Sequence, residues 1–137
     1  MHTILLTHTW TVEYFEPNVD PFEMAPSPQP IARLQDWACD RRYAQAQFYG
    51  WLQHVFELTP TDGCVRYTLQ IEGAPPLTRI YVNDQLIAES TQPIVRQDIT
   101  DAVTLGKNRL NLRVMCASSA PTFESAVLLQ IPCDAAD

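Results

Sequence analysis

Val65, Tyr67, Leu69 and Ile71 alternate without a break with Arg66, Thr68, Gln70 and Glu72. A period of two places the apolar set on one face of a strand and the polar set on the other, which a helix cannot do. Such a strand needs partners along its edges and cover over its apolar face, so the surrounding chain must supply a sheet. The same alternation recurs on both sides. Trp10, Val12 and Tyr14 alternate with Thr9, Thr11 and Glu13, and one or two strands fit within Thr3–Phe15. A strand beginning near Tyr49 puts Leu52, His54, Phe56 and Leu58 on one face, with Gln53, Val55 and Glu57 opposite. In Asn108–Val114 the residues Leu110, Leu112 and Val114 oppose Asn111 and Arg113.

Between these runs lie turn signals. Thr59–Gly63 reads T-P-T-D-G, and Gly73–Pro76 is a second loop. Asn83-Asp84 joins Leu77–Val82 to Gln85–Ala88 as a two-residue hairpin connection, where both central residues must accept a positive φ. Ile94–Ile99 and Phe123–Ile131 are further strands, and Gly106-Lys107-Asn108 turns the chain between them. Roughly eight or nine short strands with turns between them define an all-β, antiparallel β-sandwich.

Two segments depart from the pattern. Between Pro17 and Pro30 fall five prolines, so 16–30 reads as a Pro-rich loop, because proline cannot donate to a ladder. Ile31–Tyr43 predicts one short helix, with Pro30 in its first turn and Ile31, Leu34 and Ala38 as its apolar stripe.

At 137 residues the chain forms a single domain, 1–137, large enough to bury a core. A net charge of -7 with nine Lys and Arg excludes a nucleic-acid partner, which needs clustered cations. No run approaches the roughly 20 apolar residues of a membrane span. Ile4-Leu5-Leu6 is too short, and its flank too poor in charge, for a signal peptide, so a cytoplasmic location is expected. Cys39, Cys64, Cys116 and Cys133 contain no C-x-x-C pair, which argues against zinc; in a reducing compartment they read as small buried hydrophobes. P-loop, G-x-G-x-x-G and G-x-S-x-G signatures are missing, so no cofactor is expected. His54 lies between Leu52 and Phe56 on an apolar face and reads as a partly buried histidine with one hydrogen bond.

The order YVND, QDIT and GKNRLNLRV, preceded by Tyr49–Leu58 and by Val65–Gly73 ending in Glu72-Gly73, resembles the sugar-binding domain of family 2 glycoside hydrolases. The resemblance covers about residues 49–114. One departure is Asp84, where that family usually has glycine. The resemblance implies a galactose-binding-type jelly roll. It also implies a non-catalytic module, because the catalytic glutamates of those enzymes belong to a separate barrel. Carbohydrate contacts in such a module would come from aromatic platforms and polar neighbours: Trp37, Tyr49, Trp51 and Tyr81, with Arg79, Asn83 and Asp98. Core packing competes for each of those rings. The alternative is a structural scaffold without sugar binding, in which outward Tyr81, Leu77 and Val55 meet a protein partner or a second copy in a homodimer.

Overall fold

The structure, a computed structural model, describes residues 2–23, 28–34, 37, 48–115 and 123–133. Among them run β1 (His2–Leu5), β2 (His8–Phe15), β3 (Gln29–Arg33), β4 (Tyr49–Leu58), β5 (Val65–Glu72), β6 (Arg79–Val82), β7 (Gln85–Glu89), β8 (Ile94–Asp98), β9 (Gly106–Met115) and β10 (Ser125–Pro132). They form two antiparallel sheets. One has the order β1-β10-β5-β8, the other β3-β2-β4-β9-β6-β7. Neighbours in space are mostly distant in sequence, as a β-sandwich with crossing connections requires.

The apolar positions of each alternation meet between the sheets. Trp10, Leu52, Ile80, Leu110 and Leu112 from the larger sheet pack against Leu69, Ile71 and Leu128 from the smaller. Each such side chain contributes roughly 1.5–3 kcal/mol on burial. His54 belongs to this core: it stacks on Trp10 with ring centroids 5.1 Å apart, and its Nδ1 lies 3.2 Å from the Thr9 carbonyl. Burial pushes its imidazole below the ordinary value of 6.5. The Asn83-Asp84 hairpin has φ of 49° and 69°, so Asp84 adopts the left-handed turn that glycine would otherwise supply.

Two expectations are corrected. The front of the expected helix is strand: β3 pairs with β2, setting Trp10 opposite Ile31 and Thr11 opposite Pro30. A thin apolar stripe cannot outweigh the open edge of β2, and Pro30 is tolerated there because β3 is itself an edge strand. Gln29 and Pro30 therefore leave the expected loop. Residues 35–36 and 38–43 of the helix, and 24–27 of the loop, lie outside the described residues.

The second correction concerns sulfur. Cys64 and Cys133 form a disulfide, with Cα atoms 5.4 Å apart. Val65 stands opposite Pro132 where β5 pairs with β10, so the cysteines just beyond them face one another, and the Cys133 amide also donates to the Cys64 carbonyl. Cys39 and Cys116 lie outside the described residues.

Candidate functional site

The two sheets bury one face each, which leaves the outer face of the six-stranded sheet as the surface where unusual chemistry collects. The register fixes which side chains meet there. Glu13, Trp51, Arg113 and Arg79 form one row across β2, β4, β9 and β6. Thr11, Gln53, Asn111 and Tyr81 form the next, and Phe15, Tyr49 and Met115 lie on the other side.

Rings crowd this face. Trp51 and Tyr81 have centroids 5.3 Å apart, and Phe22, arriving from the turn after β2, meets them at 5.1 and 5.4 Å edge-on. Phe15 stacks on Tyr49 at 5.5 Å and meets Trp51 edge-on at 6.4 Å. The edge-to-face arrangement suits the ring quadrupoles. Trp51 is left only 6% exposed, although its strand face points away from the main core, while Phe22 stands up 46% exposed.

Polar groups thread between the rings. The Arg113 guanidinium lies over Tyr49, 4.4 Å from the ring centroid. Arg79 bonds Glu89 at 3.0 Å; that carboxylate and the Tyr81 hydroxyl together raise its pKa above the ordinary range. Asn111 is buried and donates from Nδ2 to Gln53 Oε1 at 3.2 Å. This assembly offers hydroxyl-bonding amides and cations beside apolar rings.

Of the residues expected at a carbohydrate site, the fold brings together Tyr49, Trp51, Arg79 and Tyr81. Trp37 lies elsewhere, in the core at 2% exposure, near Tyr14 and against Gly50. Asn83 is occupied in the β6–β7 turn: its Nδ2 donates to the Ala102 carbonyl and to Asn108 Oδ1, and its Oδ1 accepts from the Arg109 amide. Asp98 sits on the smaller sheet, beside a cleft of about 230 Å³ shared with Gln85, Ile87 and Asp101. The Arg66 guanidinium bonds it at 2.7 Å and holds its carboxyl well down, at about 2, helped by the Thr100 hydroxyl and amide. That carboxylate is committed to local structure.

Sequence reasoning left out Phe15, Phe22, Gln53, Asn111 and Arg113. Strand parity alone turns four of these outward, but nothing in the Pro-rich segment marks Phe22. Among the described residues, no group of three or more His, Cys, Asp or Glu side chains is placed to hold a metal ion.

The fold is an antiparallel β-sandwich of two sheets that recurs as one part of longer chains. The structure is similar to a glycosyl hydrolase family 2 member from Bacteroides cellulosilyticus, with a TM-score of 0.72 and 16% identity over 96% of this chain. It is also similar to a β-glucuronidase from Ruminococcus gnavus, with a TM-score of 0.70 and 14% identity over 96% of this chain. A β-D-mannosidase from Dictyoglomus thermophilum gives a TM-score of 0.64 and 13% identity over 87%. The chain spans 21%, 29% and 16% of those three proteins, respectively. No protein-family model and no curated protein sequence matches the chain.

Proposed function

We propose that this chain is a non-catalytic accessory module of the glycoside-hydrolase type, with the outer face of its six-stranded sheet as a carbohydrate contact. One observation carries the reading. Tyr49, Trp51, Tyr81 and Phe22 gather on a single face with the guanidinium groups of Arg79 and Arg113 and the amide of Gln53. Half-exposed Phe22 gives the apolar side of a pyranose a wall, and the guanidinium and amide groups meet its hydroxyls. That the same fold occupies about a fifth of a family 2 glycosyl hydrolase chain supports an accessory role.

The test is a titration of tryptophan fluorescence with neutral and acidic mono- and oligosaccharides. A saturable change is expected, with Tyr81→Ala and Phe22→Ala each weakening binding about tenfold while circular dichroism stays unchanged. No response to any saccharide overturns the reading.

A second reading rests on how the rings face one another. Mutual packing leaves Trp51 6% exposed, which closes its face to stacking, and Trp, Tyr and Arg are also the residues that dominate protein interfaces. On this reading the face, with exposed Val55 on the same side of β4, docks a protein partner or a second copy. Light scattering that shows concentration-dependent assembly, lost in Tyr81→Ala, would support it; a clean monomer removes the second copy.

A further inference from the structure

We propose that Arg113 makes this face selective for saccharides bearing a carboxylate, an inference that rests on the carbohydrate reading above.

Charge on this face is unmatched at Arg113. On this face Arg79 has Glu89 at 3.0 Å, and near the start of β9 Arg109 has Asp84 at 2.6 Å. On the other sheet Arg66 has Asp98 at 2.7 Å. Arg113 has no carboxylate partner among the described residues. Its Nε is buried and lacks any hydrogen-bond acceptor, and its guanidinium is held against Tyr49. A buried donor without an acceptor is uncommon in a folded protein, because its desolvation is not compensated.

The cross-strand neighbour sharpens the point. Arg113 stands directly opposite Arg79 in the β6–β9 register, and like charges in that position repel. Glu89 is bonded to Arg79 and leaves the second cation unmatched. An incoming carboxylate would neutralise the second charge, and the two terminal nitrogens of the planar guanidinium can engage it through two parallel bonds. Tyr49, Trp51, Gln53 and Asn111 beside Arg113 are rings and neutral amides, so none of them supplies the missing negative charge. A carboxylate on an acidic peptide is the competing source, so it forms an arm of the test.

The experiment compares glucuronate and oligogalacturonate with glucose and galactose by tryptophan fluorescence, at low and at about 0.5 M salt, where charge attraction is screened. Polyglutamate serves as the peptide probe. The acidic sugars are expected to bind about tenfold more tightly than their neutral counterparts at low salt, with the advantage shrinking in salt. Arg113→Gln should abolish the advantage by weakening acidic sugars about tenfold more than neutral ones, and Arg113→Lys should restore only part of it. Melting curves report whether each variant is folded. Should Arg113→Gln not fold, the salt dependence of the unaltered protein still decides the matter. Neutral sugars binding as well as acidic ones would overturn this inference and leave the carbohydrate reading standing. Silence from every saccharide would overturn both. Polyglutamate binding as tightly as the acidic sugars would overturn the saccharide assignment.

Discussion

Asn83 Nδ2 donates to Asn108 Oδ1 at 2.9 Å, tying the β6–β7 hairpin turn to the start of β9. Asn108 is fully buried and uses its whole amide: Oδ1 also accepts from the Thr104 amide, and Nδ2 donates to the carbonyls of Thr104 and Gly106. Two motifs noted in the sequence, YVND and GKN, are thus one structural device that orients a turn, with neither amide left for a ligand. Replacing Asn108 with Ala strands several buried donors and acceptors. The expected cost is about 2–3 kcal/mol. Urea unfolding checks it, and a loss below about 0.5 kcal/mol would contradict the network.

Gly50 depends on Trp37 in a different way. A Cβ at position 50 would lie 2.6 Å from Cζ3 and 2.9 Å from Cη2 of the Trp37 ring, which is itself buried and has little room to retreat. Gly50→Ala should therefore destabilise the fold by about 1–3 kcal/mol through overpacking. Adding Trp37→Phe should make the Ala substitution less costly than it is alone, so the pair is non-additive in a double-mutant cycle. Additive losses would show that the two do not touch.

Particular residues show which parts of this architecture the sequence encodes locally. Side-chain period is local, so Leu69 and Ile71, Leu110 and Leu112, and the Asn83-Asp84 turn are legible from the residues themselves. Strand register is not local. Parity turns Arg113 outward, but only the β4–β9 and β6–β9 pairings set it beside Trp51 and Arg79. The same holds for Cys64 and Cys133, separated by 69 positions and joined because β5 and β10 pair end to end. β3 was hidden because proline normally argues against a strand, and only its place at the sheet edge makes Pro30 acceptable. Phe22 carries no periodic signal, since its position depends on how the turn after β2 folds over Trp51 and Tyr81.

The disulfide should stabilise the domain substantially. Closing a loop of 69 residues removes chain entropy from the unfolded state, worth about 2–4 kcal/mol. Cys133→Ser, or reduction, is expected to lower the urea midpoint accordingly. Alkylation of the denatured, unreduced protein should leave Cys64 and Cys133 unmodified, which mass spectrometry of peptides can read. Alkylation at either position would show that the bond does not form in the protein as produced.

His54 should give the fold a pH dependence in the weakly acidic range. In the unfolded chain its imidazole takes up a proton as pH falls through about 6.5. In the folded chain burial among Trp10 and Phe56 holds the pKa lower, with the hydrogen bond to the Thr9 carbonyl opposing only part of the shift. The unfolded state therefore binds more protons below pH 6.5, and stability falls as the medium becomes more acidic. The contribution is fully present above about 6.5. It is lost progressively as pH drops toward the depressed folded value, below which the loss levels off. Replacing His54 with Leu removes the titration while keeping the site apolar. His2 and His8 remain in both proteins, so the difference between their stability–pH curves isolates His54. The unaltered protein should lose stability more steeply than His54→Leu between pH 7 and 5. Parallel curves would mean that the buried imidazole titrates as it does in the unfolded chain, and the core around Trp10 would then have to admit a charge.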